Sequence, residues 1–349
     1  MQKRIEKLLS SVANGEAVFI SSYPNIFYYS GFKSEDGYLI ISKDKRLLIT
    51  DSRYTVQAKE QAPDFEMVDI SQGFKNIFEK ISENRIGFEE HHLTVSQYDK
   101  FTQAASGKEL FDFQEKINTP RRNKDAEEIK KITEAEQLGD EAFEYVLSKI
   151  KAGVTEKEIA FELEFFMRKH GASGLSFETI SASGKRGAMP HGVASDKIIE
   201  NGDLLTLDFG CVLDGYCSDM TRTVAVGRVS DWQKEIYDVV LTAQKAALSE
   251  LEAGSKCAEI DAVAREIIKS AGYGEKFGHS LGHSVGIEIH ESPNLSPKST
   301  DTVENGNVLT VEPGIYIDGM GGVRIEDVAA IIDGKAVNIT HSPKELIIL

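Results

Sequence analysis

Four carboxylates in the C-terminal half of this 349-residue chain have the spacing of a metal-binding site. Asp208 and Asp219 lie on either side of one hairpin-like segment, and Glu312 and Glu326 lie on either side of a second. Both pairs belong to strongly apolar strands, where a carboxylate without a partner is so costly that it takes up a proton or binds a cation. Two divalent ions would supply the missing positive charge.

The spacing also predicts how the acids face each other. With a loop over residues 212–215, Asp208 is expected directly opposite Asp219, and the second hairpin is expected to place Glu312 opposite Glu326. An acid in a strand, taken alone, is more often a solvated edge residue. Because like charges directly opposite each other destabilise a ladder, two such pairs indicate bound cations instead.

Three histidines, His279, His283 and His290, lie within residues 278–291. The first two have the spacing of a helical zinc motif, but the glycines of this segment disfavour a helix interior. Residues 287–290 alternate like a strand. We therefore expect an extended segment that aims one imidazole at the metals while the other two face a substrate.

These residues resemble the dinuclear metallopeptidases of the pita-bread fold, which include aminopeptidase P, prolidase and methionine aminopeptidase. The spacing of fourteen positions from Glu312 to Glu326 resembles the proline-specific branch. Residues 23–32 and 51–54 resemble the creatinase-type N-terminal domain, so the resemblance covers nearly the whole chain. A plain methionine aminopeptidase is excluded, because it is similar only to the C-terminal part.

The resemblance implies two divalent metal ions per chain. Asp208 and Glu326 are expected to bridge the ions, Asp219 to chelate one ion, and His283 and Glu312 to bind the other. Four carboxylates and one imidazole suit Mn²⁺, Co²⁺, Fe²⁺ or Zn²⁺, and the resemblance favours Mn²⁺.

Three residues are candidates for catalysis. Glu312 is expected to move a proton from the attacking water to the departing nitrogen, in addition to binding metal. His191, which follows Met189-Pro190, and His290 are expected to hydrogen-bond the substrate carbonyl and the developing oxyanion.

Three further residues are candidates for substrate binding. His279 is expected near the substrate proline. Arg324 is expected either to form a structural ion pair with the acid-rich hairpin or to contact the substrate. Phe177 is a candidate to line an apolar pocket, although a core position is the default for phenylalanine.

Two positions depart from the family pattern. Ser284 stands where relatives often have glycine, a small-for-small change that is expected to leave coordination intact. Asn294 stands where some prolidases carry an arginine for the free carboxylate of a dipeptide. The loss of a bidentate guanidinium there favours longer peptides.

The predicted reaction is hydrolysis of an N-terminal Xaa-Pro bond. Two ions that share a water lower its pKa toward neutrality, so that hydroxide can attack a carbonyl. An Xaa-Pro bond is a tertiary amide without an N–H, which such a site does not need. The main hypothesis is an Xaa-Pro aminopeptidase, and the nearest alternative is an Xaa-Pro dipeptidase (prolidase). The alternative from another class is a metal-free binding protein with the pita-bread shape.

The predicted fold class is α/β (α+β). Residues 1–118 alternate short strands with helices, as in a small α/β domain, and residues 119–124 have the composition of a linker. Residues 125–349 contain the order helix, helix, histidine segment and carboxylate hairpin twice. This echo predicts an internal duplication with pseudo-twofold symmetry around the metals.

Composition limits the other possibilities. The net charge of −16 disfavours nucleic acid as a partner, and no apolar run approaches a membrane span. The N-terminus has no apolar segment of a signal peptide. Three cysteines cannot all pair and fit a reducing compartment, so a cytoplasmic location is expected. Members of the family are often homodimers, which is the expectation here.

Overall fold

The computed structural model describes residues 1–349 and consists of two compact units, Met1–Arg121 and Arg122–Leu349. The N-terminal unit contains six helices and six strands. The helices are α1 Gln2–Leu9, α2 Tyr23–Ser30, α3 Thr55–Gln61, α4 Phe74–Phe78, α5 Val95–Ala104 and α6 Gln114–Arg122. The strands are β1 Glu16–Ile20, β2 Tyr38–Ile41, β3 Arg46–Thr50, β4 Glu66–Asp69, β5 Arg85–Phe88 and β6 Glu109–Asp112.

These strands form one mixed sheet in the order β4-β3-β2-β1-β5-β6. The alternation of short strands with helices that the sequence predicts for this part of the chain is present. Buried apolar side chains from the sheet pack against α4 and α5 and form the core of this unit.

The junction between the units is more helical than the sequence predicts. Residues 119–122, expected as part of a linker, belong to α6, although Pro120 lies inside that helix. Two tyrosines of α2 stabilise this helix end: the Tyr28 hydroxyl donates to the Pro120 carbonyl at 2.9 Å and the Tyr29 hydroxyl donates to the Ile117 carbonyl at 2.7 Å. The two tyrosines lie about ninety positions before their acceptors, so the composition of residues 119–124 could not reveal these hydrogen bonds.

The C-terminal unit contains four helices and thirteen strands. The first half contains α7 Ala126–Leu147, α8 Glu156–Lys169, β7 Gly174–Leu175, β8 Ile180–Ser183, β9 Leu204–Phe209, β10 Cys211–Leu213, β11 Tyr216–Cys217 and β12 Met220–Ala225. The second half contains α9 Asp231–Ser249, α10 Cys257–Ser270, β13 Gly282–Ser284, β14 Glu291–Leu295, β15 Val308–Val311, β16 Gly314–Ile317, β17 Gly321–Arg324, β18 Asp327–Ile332 and β19 Lys335–Asn338.

Each half packs two helices against a sheet. The first half has sheets β11-β10-β7 and β12-β9-β8, and the second has β14-β13-β15-β18-β19 with the ribbon β16-β17. Two separate apolar clusters result, one between α7, α8 and the first sheets and one between α9, α10 and the second. The repeated order that the sequence predicts is therefore present. None of the helices has the length and apolar character that a membrane span requires.

Candidate metal centre

The first carboxylate hairpin has a different register from the predicted one. Strands β9 and β12 pair Asp208 with Thr221, not with Asp219. The loop is shorter than expected, because only Asp214 and Gly215 form the turn, with φ values of 49° and 84°. A two-residue turn with both φ values positive matches the twist of a hairpin. The register moves by two positions, so both aspartates still lie on one face as diagonal neighbours.

The second carboxylate hairpin has the predicted register. Val311 pairs with Asp327 on one side, and Gly314 pairs with Arg324 on the other. Both pairs fit the ladder in which Glu312 lies opposite Glu326. The two hairpins are also joined, because the Glu326 amide donates to the Thr221 carbonyl at 3.1 Å.

The segment of residues 278–291 contains no helix, which agrees with the prediction. Its second half, however, does not form a strand. Strands β13 and β14 pair, and residues 285–290 form the loop between them. The prediction of a strand over residues 287–290 is therefore wrong. The Glu291 carboxylate accepts from the amides of Ile287 at 3.0 Å and Glu288 at 3.2 Å, which turns the backbone away from an extended path.

One cavity of about 590 Å³ brings all the predicted site residues together. Asp208 lies on β9 and Arg324 on β17, whereas the other three acids lie in the two-residue breaks between consecutive strands of the hairpins. His283 lies on β13, and the remaining groups come from loops. The predicted residues that line the cavity are Phe177, His191, Asp208, Asp219, His279, His283, His290, Glu312, Arg324 and Glu326.

Three of these side chains point candidate ligand atoms at one another. Atoms of Asp219, His283 and Glu326 lie within 4.8 Å of each other. The His283 Nε2 lies 3.4 Å from a carboxylate oxygen of Asp219 and 3.4 Å from one of Glu312. The Nδ1 of His283 faces the Ser284 carbonyl at 3.2 Å, so Nδ1 carries the proton in the neutral ring. The lone pair of Nε2 then faces carboxylate oxygens, an arrangement that a cation would stabilise.

Burial keeps this cluster from carrying its full charge without a metal. It lowers the pKa of His283 to about 4, so this imidazole is neutral near pH 7. Burial raises the pKa of Glu312 to about 8. Burial, with nearby carboxylates as a second cause, raises the pKa of Asp219 and of Glu326 well above the ordinary range. Divalent cations are what these acids need in order to ionise together.

Two carboxylates each leave one oxygen for such a cation. The Asp208 Oδ1 and the Glu326 Oε1 are buried and have no hydrogen-bond partner. The other oxygens are held by the protein: Arg324 donates to Asp208 Oδ2, and the Thr221 hydroxyl donates to Glu326 Oε2 at 2.8 Å. The residues present therefore fit a site for divalent metal ions, because buried polar atoms rarely remain unsatisfied.

Arg324 has a structural role in this site. It is buried, and besides its ion pair with Asp208 it donates to the Thr221 hydroxyl at 3.1 Å and the Pro190 carbonyl at 3.2 Å. These bonds orient a candidate metal ligand and hold the segment that precedes His191. The ion pair expected of Arg324 is thus present, and a contact with substrate stays a prediction.

His279 is held by a residue that the sequence reasoning missed. Its Nδ1 donates to the Ser280 carbonyl at 2.8 Å, and its Nε2 accepts from the Tyr316 hydroxyl at 2.8 Å. Burial lowers the pKa of His279 to about 4, so the ring is neutral and both nitrogens are engaged. His279 can thus offer a substrate only its ring surface. Tyr316 lies four residues after Glu312 on the same side of the hairpin, a period of two that could have revealed it.

Glu136 is a second residue that the sequence reasoning missed. It lies on α7, fully buried, and its Oε1 accepts from the Asp219 amide at 2.6 Å. Its Oε2 accepts from the Thr340 hydroxyl at 3.1 Å. Burial raises the pKa of Glu136 to about 8. The two hydrogen bonds of Glu136 join α7 to the backbone that carries the candidate ligand Asp219.

Glu136→Ala is expected to weaken metal binding about 10–100-fold, the usual effect of losing a group that orients a ligand. Glu136→Gln is the matched control, because its amide oxygen can still accept from the Asp219 amide. Titration calorimetry with Mn²⁺ would measure both variants. Equal affinities for wild type and Glu136→Ala would contradict this role.

The fold and the site together define a metal-dependent hydrolase with two pseudo-equivalent halves. The sequence pattern of metallopeptidase family M24 matches residues 130–333, and that of the creatinase/prolidase N-terminal domain matches residues 4–123. The chain belongs to metallopeptidase family M24. The expected family, the pita-bread fold and the creatinase-type N-terminal domain are thereby confirmed.

Relatives cover the whole chain. The Xaa-Pro dipeptidase of Pyrococcus furiosus is 39% identical over 350 residues, which cover 99% of this chain and 100% of that one. A solved structure of an Xaa-Pro dipeptidase from Bacillus anthracis superimposes with a TM-score of 0.96 at 45% identity, covering 100% and 99% of the two chains. An X-Pro aminopeptidase structure from Thermotoga maritima MSB8 superimposes with a TM-score of 0.92 at 39% identity, covering 99% and 100%.

Proposed function

We propose that this protein hydrolyses the peptide bond between an N-terminal residue and a following proline. Two divalent metal ions would be held by Asp208, Asp219, His283, Glu312 and Glu326. The observation that carries this proposal is the convergence of these five side chains at one cavity, with buried carboxylate oxygens that have no protein partner. Relatives named for Xaa-Pro substrates support the choice of bond.

The metal ions, when bound, lower the pKa of water and polarise the scissile carbonyl. The protein then has to move a proton and position the substrate. We assign the proton transfer to Glu312, which lies at the cavity and is held by the Thr310 hydroxyl at 3.3 Å. Its carboxylate accepts a proton from water and delivers it to the departing proline nitrogen.

Two exposed histidines are assigned to the substrate carbonyl. The His290 ring packs against the ring of His283, with ring centroids 4.3 Å apart, which places it beside a candidate metal ligand. His191 follows Pro190, whose carbonyl is held by Arg324. Imidazole N–H groups in these positions stabilise negative charge on the carbonyl oxygen as water adds.

The apolar part of the cavity suits a proline ring. Phe177, Ile180, Val193 and Ile289 line it, together with the ring of His279. A proline on the leaving side contributes an apolar ring and has no N–H that would need an acceptor. We propose that these side chains select proline by shape and by burial of its ring.

We propose dipeptides as the first substrate class, since the Pyrococcus furiosus and Bacillus anthracis relatives are named Xaa-Pro dipeptidases. Longer peptides are the second candidate, supported by the Thermotoga maritima relative's name and by Asn294. Asn294 lines the cavity and pairs across the strands with His283, where it offers no charge to a free carboxylate.

Turnover of a dipeptide and of an Xaa-Pro-Xaa tripeptide by the metal-loaded protein decides between them. We expect hydrolysis of both, with the dipeptide handled at least as well, and tripeptide-only activity would contradict our first choice. Asn294→Arg serves as a probe of the same point. A guanidinium paired with the carboxylate is expected to raise dipeptide kcat/KM about 10–100-fold, because such charge-assisted bonds contribute about 1.5–3 kcal/mol.

We further propose Mn²⁺ as the metal, a homodimer as the assembly and the cytoplasm as the location. A ligand set of carboxylates with one imidazole supports Mn²⁺. Three buried, unpaired cysteines support a reducing compartment. The homodimer rests on resemblance to the family alone. The charge of −16 supports peptides over nucleic acid as partners.

A further inference from the structure

A buried ion pair joins Lys124 to Glu291, the residue that follows His290. The Lys124 ammonium lies 3.0 Å from a carboxylate oxygen of Glu291, and the two side chains are 1% and 6% exposed. The same ammonium donates to the Ser284 hydroxyl at 2.8 Å. We infer that Lys124 and Glu291 position the loop of residues 285–290 and thereby place His290 at the metal centre. The inference rests on the proposed function, in which His290 contacts the substrate.

The other oxygen of Glu291 holds the loop itself. It accepts from the amides of Ile287 and Glu288, so one carboxylate joins the lysine to two consecutive loop residues. Gly286 allows this arrangement: a Cβ at that position would lie 2.6 Å from the Glu291 carboxylate. The side chain thus occupies the space that any larger residue at 286 would need.

The loop is also attached to the first carboxylate hairpin. The Cys217 amide donates to the Gly286 carbonyl at 2.8 Å, and the Cys217 thiol lies 3.4 Å from the Ile287 carbonyl. Cys217 precedes the candidate ligand Asp219 by two residues. A displaced loop would therefore move His290 relative to both the hairpin and the His283 ring that it contacts.

Lys124 is a fixed anchor for this arrangement. Its amide donates to the Gly306 carbonyl at 2.7 Å, and the Gly306 amide donates to the Ile331 carbonyl on β18 at 2.9 Å. The backbone beside β18 thus fixes the start of the lysine side chain, and its ammonium end reaches the loop. Ser284, one of the two positions that depart from the family pattern, supplies the second acceptor for that ammonium.

Stability alone does not account for the pair. Replacing a buried ion pair by apolar side chains of similar volume is often neutral or stabilising, whereas removing one partner leaves a buried charge. An ion pair that positions the loop of residues 285–290 and an ion pair that only stabilises the fold lead to different expectations for a variant without both charges. Removing both charges should restore the fold without restoring the loop.

The test compares Lys124→Met with the double variant Lys124→Met/Glu291→Leu. Hydrogen exchange of residues 285–290 is measured in the metal-free protein, and kcat, KM and metal content are measured with an Xaa-Pro substrate. In both variants we expect loop exchange to accelerate at least about 10-fold and kcat to fall about 10–100-fold, with KM and metal content unchanged. The melting temperature is expected to fall in the single variant and to recover in the double variant.

Arg85→Met/Glu16→Leu is the control for the substitutions themselves, because it replaces a more exposed ion pair of the N-terminal unit by the same two residues. It should change neither loop exchange nor kcat. Loop exchange and kcat that recover together with the melting temperature in the double variant would overturn the inference, as would an equal loss of kcat in the control. Wild-type protein inactive on Xaa-Pro peptides would contradict the proposed function, while the exchange measurement in metal-free protein would still decide the role of the pair.

Discussion

His283→Ala is expected to remove one metal ion per chain and to lower kcat by more than about 10³-fold. This exceeds the 10–100-fold loss typical of groups that only orient a ligand. The Nε2 of His283 lies 3.4 Å from carboxylate oxygens of Asp219 and Glu312, and His283 is the imidazole that groups with Asp219 and Glu326. Elemental analysis of the dialysed variant, together with turnover of an Xaa-Pro substrate, measures both effects.

His290→Ala is the matched control, because the two rings are in contact and only one is assigned to the metal. This variant should keep both ions and lose about 10²–10³-fold in kcat, the usual effect of removing one donor to an oxyanion. Metal loss in His290→Ala would show that the two assignments are interchanged. Wild-type protein with less than one ion per chain among Mn, Co, Fe and Zn would favour the metal-free alternative.

The site residues could be predicted because their chemistry is unusual for their surroundings. Acids in apolar strands and three histidines in one short segment have few explanations other than a metal site, and all of them line one cavity. The groups that orient them were harder to recognise. Thr221 and Glu136 are ordinary residues in a strand and a helix, and only the folded chain brings them to Glu326 and Asp219.

Local sequence patterns predicted the helices and strands. They failed to predict features that depend on residues far apart in the chain. The register of the second hairpin follows from the sequence of its strands. The register of the first hairpin depends on the length of its turn, and the sequence is compatible both with the two-residue turn Asp214-Gly215 and with a longer loop. Lys124 stood in a charged segment typical of a linker. It is buried because Glu291, far along the chain, supplies its counter-charge, a pairing that composition does not reveal.

Metal loading is expected to reverse the pH dependence of stability between about pH 6.5 and about pH 8. Without metal, burial raises the pKa of Glu312 and of Glu136 to about 8, above their values in the unfolded chain. The folded state then binds more protons than the unfolded state, so the free energy of unfolding falls as pH rises through this window. Each such carboxyl contributes a loss on the order of 1–2 kcal/mol.

The buried histidines do not obscure this window. Burial lowers the pKa of His279 and of His283 to about 4, so the stability that they contribute is present above the unfolded value of about 6.5 and is lost only as pH falls below it. When metal is bound, the carboxylates assigned as ligands, Glu312 among them, would be ionised in the folded state. Acidification then releases metal, and the free energy of unfolding falls as pH decreases.

Equilibrium urea unfolding at several pH values, with chelator or with excess Mn²⁺, measures both slopes. Metal present at about 1,000 times its dissociation constant should add about 4 kcal/mol per site, because it binds the folded state only. Glu312→Gln is the matched control, since it keeps the shape and removes one titrating group. Its metal-free slope should be shallower than that of wild type, and an unchanged slope would mean that Glu312 does not titrate in this range. A metal-free protein whose stability rises with pH across the window would contradict the buried, proton-binding state of these acids.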